Sequence, residues 1–201
     1  MINTIIFDLG AVLIDWNPQY LYRKIFNDEQ EMQTFLSTIC TPDWNEEQDG
    51  GRSLKDGTDY LVTKFPDQAE NIRAFYGRWE EMLGGAIEET VEIFRQLKDS
   101  GKYKIYALTN WSAETFTIAQ AKYDFLGWFD GIVVSGTERT RKPFPEFYQI
   151  LLDRYNVKPE EALFIDDNQR NVTAAEALGI NAVHFTSAAD LAKELDARNL
   201  L

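Results

Sequence analysis

The feature that most constrains the fold is a series of short apolar runs separated by longer segments with helical periodicity. The five runs read NTIIFDL, YKIYALTN, GIVVSG, ALFIDD and NAVHF, and each is too short for a helix of ordinary length. Between them, apolar residues recur at three- and four-residue steps, and Gly101 and Gly179 follow the last turns of two such segments. This alternation predicts right-handed βαβ units around a parallel sheet.

One long interval, from Asp15 to Gly85, interrupts the alternation. It contains aromatic-rich amphipathic segments such as YLYRKIF and NIRAFYGRWEEML and no strand-like run. We therefore expect an inserted helical unit over residues 15–85, with Gly84–Gly85 as a hinge, and a core made of residues 1–14 and 86–201. Gly50–Gly51 lack the Lys-Ser of a phosphate-binding loop, so we expect them to join two helices above the site.

Charge and cysteine content exclude several classes of function. Twenty basic and thirty-three acidic residues give a net charge of −13, which disfavours nonspecific binding to nucleic acid or to an anionic membrane. The single cysteine, Cys40, cannot form an intramolecular disulfide or a cysteine metal cluster. The N-terminus lacks a signal-peptide pattern, and no run of eighteen apolar residues occurs. These observations predict a soluble, cytoplasmic protein.

Polar side chains follow four of the five apolar runs. In chain order they are Asp8, Thr109, Asn110, Lys142, Asp166 and Asp167. Because the carboxyl ends of parallel strands share one edge of the sheet, where ligands bind, these residues are expected to meet there. Taken singly, a strand-end aspartate is more often a helix cap, and the neighbouring Arg139 and Arg141 are interpreted as surface charge. The convergence is the strongest functional signal in the sequence.

The motifs FDLGAV, LTN, RKP and FIDDNQRNV, in that order and with a helical insert after the first, resemble the haloacid dehalogenase (HAD) superfamily. The likeness spans nearly the whole chain and is greatest to small-cap sugar-phosphate phosphatases whose first motif also reads Asp-x-Gly. It implies an α/β fold with a Rossmann-like three-layer core, a parallel sheet and an inserted α-helical cap. It also implies Mg²⁺-dependent hydrolysis of a small phosphorylated metabolite, for example a sugar phosphate, through an aspartyl-phosphate.

The resemblance also implies a role for each strand-end residue. Asp8 matches the nucleophile, and Mg²⁺ would be held by Asp8, the backbone carbonyl of Gly10 and Asp167, with Asp166 in direct contact or one step removed. Hard oxygen ligands of this kind suit magnesium.

The remaining motif residues match the phosphate-binding part of the family's site. Thr109 would donate its hydroxyl to a phosphoryl oxygen, with Asn110 beside it in the substrate site. Lys142 would neutralise charge on the phosphate and the nucleophile. Asn171 is expected to steady the loop that carries the paired aspartates.

Gly10 departs from the family pattern, because most phosphatases of this superfamily carry a second aspartate there as general acid and base. Such assistance is typically worth about 10² to 10⁴ in rate. Either activity is modest, or another carboxylate such as Asp15, Glu46 or Asp49 substitutes, or the leaving group is good. A sugar 1-phosphate would meet the last condition, since an anomeric hydroxyl is more acidic than an ordinary alcohol.

Two other functions stay open at this point. In a 2-haloacid dehalogenase, Asp8 would attack carbon without a metal, although adjacent Asp166 and Asp167 fit a cation site better. A binding or regulatory module would retain the fold and the metal without useful turnover. Trp111 is expected near the site, and His184, the only histidine, is expected to be structural because no Ser-His-Asp or His-metal set accompanies it.

Overall fold

The computed structural model describes all 201 residues and is built on a parallel β-sheet. The strands are β1 (Thr4–Phe7), β2 (Ile14–Trp16), β3 (Leu83–Ala86), β4 (Lys104–Thr109), β5 (Gly131–Val134), β6 (Ala162–Asp166) and β7 (Asn181–His184). Five of them form one sheet in the order β5-β4-β1-β6-β7, with every pair parallel. Each of the five apolar runs contains one of these strands, which confirms the predicted sheet.

The helices occupy the segments in which helical periodicity was found. They are α1 (Gln19–Tyr22), α2 (Glu29–Thr38), α3 (Pro42–Asp49), α4 (Leu54–Lys64), α5 (Ala69–Gly77), α6 (Glu88–Asp99), α7 (Ala113–Lys122), α8 (Ser135–Glu138), α9 (Pro145–Tyr155), α10 (Gln169–Ala177) and α11 (Ala188–Ala197). Short 3₁₀ turns lie at Pro66–Gln68, Trp79–Met82, Asp124–Trp128 and Pro159–Glu161. None of the helices has the length and apolar character needed to cross a membrane.

Helices cover both faces of the parallel sheet. Phe7 of β1 packs on Phe94 of α6, with ring centroids 5.5 Å apart, and this face also contains buried side chains of α11. Ile6 points the other way, into an apolar cluster with Tyr148 of α9 and Ala175 of α10. Alternate side chains of a strand face opposite sides, and all four residues of β1 are buried because both faces are covered. The result is the three-layer, Rossmann-like α/β fold.

Five helices, α1 to α5, lie between β2 and β3. The apolar cluster that contains Phe7 of the sheet also contains Phe35 of α2 and Phe75 of α5, so the apolar core is continuous from the sheet into the inserted helices. Buried aromatic side chains dominate their interior, with Tyr22 and Phe35 at a centroid distance of 4.9 Å. Aromatic residues of this size bury large apolar areas, which explains why a short insert holds its shape.

The expectation that residues 15–85 contain no strand was wrong at both ends of the insert. Strands β2 and β3 pair antiparallel, with Asp15 opposite Gly85, and Gly84–Gly85 lie within β3 rather than in a free joint. A side chain on Gly84 would collide with the carboxylate of Asp15, so a larger residue there would require the Asp15 side chain to move. Strands of three and four residues are too short to show an alternating pattern in the sequence.

Candidate active site

The carboxyl ends of β1, β4 and β6 bring the predicted site residues together around one buried lysine. Asp8 follows β1, Thr109 ends β4 and Asp166 ends β6, and all three are buried. The Nζ atom of Lys142, which is 0% exposed, lies 2.9 Å from Oδ1 of Asp8 and 2.7 Å from Oδ2 of Asp166. It also donates to the carbonyl oxygen of Leu108 at 2.9 Å. An ammonium group has three donors, and here all three are used.

This arrangement fixes the charge of Lys142. Burial by itself would lower the pKa of Lys142, but the adjacent carboxylates of Asp166 and Asp8 outweigh it and raise the pKa above its ordinary value. Burial also raises the pKa of Asp8, with the Lys142 ammonium opposing and the charges of Asp166 and Asp167 adding to the rise. The lysine therefore remains a cation held against the predicted nucleophile.

Both carboxylate oxygens of Asp166 accept hydrogen bonds from neighbouring groups. Its Oδ1 accepts from the backbone N–H of Asn168 at 2.8 Å and from Nδ2 of Asn171 at 3.0 Å, while its Oδ2 accepts from Lys142. Asn171 thus braces the loop after β6, in the way the sequence predicted. With both oxygens hydrogen-bonded, Asp166 is better placed to orient Lys142 than to bind a metal directly.

The donor set nearby suits a hard cation. Asp8, Asp166 and Asp167 each offer an oxygen, and these atoms lie within 4.8 Å of one another. Oδ1 of Asp8 accepts from the backbone N–H of Leu9 and contacts Lys142, which leaves its Oδ2 free, and the carboxylate of Asp167 is exposed. The carbonyl of Gly10 accepts no backbone hydrogen bond. Free carboxylate and carbonyl oxygens of this kind fit Mg²⁺.

Two neighbouring residues complete this edge of the sheet. The Oγ1 atom of Thr109 is fully buried and has no hydrogen-bond partner, which is unfavourable unless a ligand accepts from it. Asn110 exchanges two hydrogen bonds with the backbone of Lys142, donating from Nδ2 at 3.0 Å and accepting at Oδ1 at 2.8 Å. Asn110 therefore also holds the lysine in place, a role that the sequence did not predict.

A cavity of about 520 Å³ opens over this edge and separates it from the inserted helices. Asp8, Asp167 and Arg170 lie on the sheet side. The helical side contributes polar and apolar residues in similar numbers. The uncharged polar ones are Asn17, Gln19, Gln33, Ser37, Thr41 and Asn45, the acidic ones are Glu46 and Asp49, and the others are Trp16, Pro18, Leu36, Cys40, Pro42 and Phe75. Arg170 is the one basic residue among the lining residues, and its Nη2 is 2.7 Å from Oε1 of Glu46.

A smaller cavity of about 80 Å³ lies beside Gly10. Its walls are mostly aromatic, with Trp16, Tyr76, Trp79 and Trp111 joined by Asn45, Asp49, Asn110 and Thr115. The buried indole N–H groups of Trp16 and Trp111 have no hydrogen-bond partner. Trp111 is therefore next to the site, which confirms its prediction. His184 is exposed, and its Nε2 lies 2.8 Å from the carbonyl oxygen of Asp167, so it belongs to no catalytic triad.

The three carboxylates that were expected as substitutes for the missing aspartate at Gly10 have different surroundings in the structure. Asp15 accepts from the hydroxyl of Tyr20 at 2.7 Å and lines neither cavity. Glu46 lines the larger cavity but pairs with Arg141 and Arg170. Asp49 lines both cavities and forms no ion pair. Sequence reasoning could not rank these residues, because their distances from Asp8 depend on how the inserted helices pack.

Arg141 corrects one sequence interpretation. It was interpreted as surface charge, but its side chain is only 18% exposed and its Nη2 lies 3.3 Å from Oε2 of Glu46 on α3. Gly50–Gly51 join α3 to α4 in the way the sequence predicted, and Gly51 has φ +102°, a conformation that favours glycine. The contact between Arg141 of the core and Glu46 therefore helps to hold α3 above the site.

A family model described as haloacid dehalogenase-like hydrolase matches residues 2–179. The sesquiterpene phosphatase astK of Aspergillus oryzae is 29% identical over 190 residues, which cover 94% of this chain and 93% of that protein. The pyrophosphatase PpaX of Bacillus cereus is 28% identical over 185 residues, covering 89% of this chain and 80% of that protein.

Solved structures share the fold at lower sequence identity. The HAD family enzyme bt-2542 of Bacteroides thetaiotaomicron, in complex with magnesium and inorganic phosphate, superposes with a TM-score of 0.67 at 21% identity, covering 92% of this chain and 95% of that one. The L-2-haloacid dehalogenase of Xanthobacter autotrophicus with covalently bound chloropropionic acid superposes with a TM-score of 0.66 at 18% identity, covering 100% of this chain and 85% of that one. The same fold thus occurs in a dehalogenase and in an enzyme that holds magnesium and phosphate.

Proposed function

Because the chain belongs to the haloacid dehalogenase-like hydrolases, we propose that it is a Mg²⁺-dependent phosphatase that hydrolyses a small phosphorylated metabolite through an aspartyl-phosphate on Asp8. The observation that carries this proposal is the buried ammonium of Lys142 between Asp8 and Asp166 at the carboxyl edge of the sheet. Such a site offers a nucleophilic oxygen and a fixed cation to an incoming phosphate.

Mg²⁺ would be held by the free Oδ2 of Asp8, the carbonyl of Gly10 and the carboxylate of Asp167, with Asp166 acting through Lys142 and the loop. When bound, the ion supplies positive charge to the phosphate oxygens and to the nucleophile. The donors present in this chain are all oxygens, which is the set that magnesium prefers.

Four residues of this chain then have separate roles in the attack on phosphorus. A carboxylate oxygen of Asp8 attacks phosphorus, while Lys142 keeps that carboxylate in position and offsets negative charge as the bond forms. The unpartnered hydroxyl of Thr109 donates to a phosphoryl oxygen, and Asn110 fixes the backbone of Lys142. These groups are rigid before substrate arrives, since most are hydrogen-bonded within the core.

The cavity lining supports a hydroxylated substrate such as a sugar phosphate. Its helical side offers amide and hydroxyl side chains that can hydrogen-bond to sugar hydroxyls, beside apolar side chains such as Trp16, Leu36 and Phe75. A second phosphate group would meet one basic side chain, Arg170, which is already paired with Glu46. A monophosphate therefore fits this cavity better than a pyrophosphate. We assign residues 15–85 the role of a cap that selects substrate, over a catalytic core of residues 1–14 and 86–201.

The proposal is tested by measuring phosphate release from an aryl phosphate and a panel of sugar phosphates, with Mg²⁺ or EDTA. We expect release that requires Mg²⁺ and disappears in Asp8→Asn, a variant that keeps the side chain's shape and removes its nucleophilic charge. Absence of phosphate release from every compound would contradict the proposal.

Dehalogenation is the competing activity, because the fold is shared with a haloacid dehalogenase. The pair of adjacent carboxylates at Asp166 and Asp167 favours a cation site over a metal-free one. Chloride release from 2-chloropropionate in the presence of EDTA, measured in the same experiment, would favour the dehalogenase. If neither phosphate nor chloride appears, a binding module with this fold becomes the better interpretation.

A further inference from the structure

The site lacks a proton donor where Gly10 stands, and the structure leaves room for one. A Cβ atom built on Gly10 would meet no other heavy atom within 4 Å, and Gly10 does not have a positive φ. The smaller cavity, of about 80 Å³, lies at this position. A group that reaches this space from elsewhere could therefore act on the leaving oxygen.

Asp49 reaches this space from the inserted helices. It is the last residue of α3, and its side chain lines the smaller cavity with Gly10 and the larger cavity with Asp8. Its carboxylate accepts from Nδ2 of Asn45 at 2.9 Å and from the backbone N–H of Ser112. No cation binds it directly, in contrast to Glu46 one turn earlier, which pairs with arginine.

The core fixes the position of Asp49 above the site. The hydroxyl of Ser135, at the start of α8, donates to the backbone carbonyl of Asp49 at 2.6 Å. The same hydroxyl accepts from the backbone N–H of Trp111 at 2.9 Å, next to the end of β4. The end of α3 is therefore held to the sheet by a buried bridge, and its carboxylate does not depend on a mobile loop for its position.

The surroundings of Asp49 suit a group that exchanges a proton near neutral pH. Burial raises the pKa of Asp49 to about 7, while the amide of Ser112 and the charge of Arg141 oppose the rise and the charges of Glu46 and Asp8 add to it. The other titratable group on the same cavity is Tyr76 of α5, whose own pKa is raised by burial, so it stays neutral. A general acid and base works best when its pKa lies near the working pH.

We propose that Asp49, reaching across from the inserted helices, is the general acid and base of the reaction in place of the side chain that Gly10 lacks. This inference rests on the proposed phosphatase function. It assigns a catalytic role to the insert in addition to substrate selection.

The two half-reactions balance with Asp49 as the only proton carrier. In the first, an oxygen of Asp8 bonds to phosphorus, the bond from phosphorus to the leaving oxygen breaks, and that oxygen takes the proton of the Asp49 carboxyl to become an alcohol. In the second, a water oxygen bonds to phosphorus while the Asp49 carboxylate accepts the water proton. The bond from phosphorus to Asp8 then breaks, which releases phosphate and restores both side chains.

The test compares leaving groups in wild type and Asp49→Asn. For phenyl phosphate, whose leaving oxygen needs a proton, we expect kcat/KM to fall by about 10² to 10⁴. For 4-nitrophenyl phosphate the fall should be at least tenfold smaller, because nitrophenolate departs without protonation. The variant should also show a burst of nitrophenol, because the aspartyl-phosphate is hydrolysed slowly.

Two further variants make the result specific. Glu47→Gln makes the same change of acid to amide on the same helix, at a side chain that is 54% exposed. We expect it to leave kcat/KM unchanged for both substrates. Gly10→Asp combined with Asp49→Asn places a carboxylate in the open space beside Gly10, and we expect it to recover at least part of the phenyl phosphate activity.

The inference is overturned if Asp49→Asn loses the same factor on both substrates or loses nothing, or if the double variant turns over phenyl phosphate no faster than Asp49→Asn. A wild-type protein that releases no phosphate at all would remove the proposed function and this inference together. An active wild type whose leaving-group preference is unchanged in Asp49→Asn would remove this inference alone.

Discussion

The larger cavity has one wall formed by the sheet edge (the sheet wall) and one formed by the inserted helices (the helical wall). Each wall carries an aspartate, and the two aspartates are held by different groups. On the sheet side, Asp8 lies 2.9 Å from a buried ammonium and near two further carboxylates. On the helical side, Asp49 has hydrogen bonds from an amide side chain and a backbone N–H but no bound cation. Burial raises the pKa of both groups to about 7. The difference is that a fixed positive charge opposes this rise directly at Asp8 and only at a distance at Asp49.

This difference suits two different tasks. A nucleophile must be ionised and in position when it attacks. A lysine held by Asp166, Asn110 and the carbonyl of Leu108 fixes the position of Asp8 and favours its ionised form. A proton carrier must change its charge twice in each cycle, and a strong ion pair would prevent that. The sheet wall is therefore organised around fixed charge, whereas the helical wall holds the proposed proton carrier, Asp49, with neutral hydrogen bonds.

Removing the fixed charge should have the largest effect. In Lys142→Met, Asp8 and Asp166 face each other in the core without a cation, and we expect the free energy of unfolding to fall by about 3 to 5 kcal/mol. The deficit should shrink as the pH is lowered from 8 to about 5, because protonation of one carboxyl relieves the repulsion. Urea denaturation at several pH values measures both effects.

The control for this change is Lys193→Met, which removes an ammonium whose side chain is 77% exposed and pairs with Asp190 on the surface. Surface pairs of this kind are worth about 0 to 1 kcal/mol, so we expect little change. A Lys142→Met protein as stable as this control would show that the buried lysine does not compensate the two carboxylates.

A matched pair of threonines tests whether the sheet edge is built for a ligand. Thr109 and Thr90 are both fully buried with unpartnered hydroxyls, but only Thr109 lies at the site. We expect Thr109→Val to lower kcat by about 10² to 10³, the usual cost of losing one donor to a reacting oxygen. Thr90→Val should leave kcat unchanged. Neither change should reduce stability, since each removes an unsatisfied polar group. Equal kinetic losses in the two variants would contradict the assignment of Thr109.

The sheet wall was largely predictable from the sequence. Its five apolar runs are local patterns, and the polar residues that follow them must meet because parallel strands end at one edge. Lys142 is the exception, since it lies in a loop among other basic residues. Only its place in the order of the motifs pointed to it, and the pattern gave no sign that it would be 0% exposed.

The helical wall was predictable only as a set of helices. Asp15, Glu46 and Asp49 had equal standing in the sequence, because helix packing decides which carboxylate reaches the space beside Gly10. The short strands β2 and β3 escaped prediction for a related reason, as their pairing joins residues that are far apart in the chain. Long-range packing of this kind leaves no periodic pattern to read.

The pH dependence of the free energy of unfolding tests whether the pKa of Asp49 is raised in the folded protein. Its folded pKa of about 7 exceeds the ordinary value of 3.8, so the folded state binds more protons than the unfolded state between these values. Stability from this group is therefore present at low pH and is lost as the pH rises from about 4 to about 7. At about 1.4 kcal/mol for each pKa unit, the loss has an upper limit of about 4 kcal/mol, and we expect about 1 to 2 because the side chain retains contact with solvent.

Asp49→Asn should abolish this loss, so the variant should gain stability relative to wild type between pH 5 and pH 8. Glu47→Gln, on the same helix but exposed, should follow wild type across the range. If wild type and Asp49→Asn kept a constant difference at every pH, Asp49 would have an ordinary pKa, and the contrast between the two walls would be lost.

The smallest effect should come from the ion pairs that join the two walls. Glu46 contacts Arg141 at 3.3 Å and Arg170 at 2.7 Å, with side chains between 18% and 49% exposed. Because solvent reaches these groups, we expect Glu46→Gln to lower the free energy of unfolding by less than about 1 kcal/mol. The difference from wild type should shrink further in 0.5 M salt, where the screening length is only a few ångströms. A loss above about 2 kcal/mol that salt does not reduce would mean that these pairs act as a buried network. The helical wall would then depend on fixed charge as the sheet wall does.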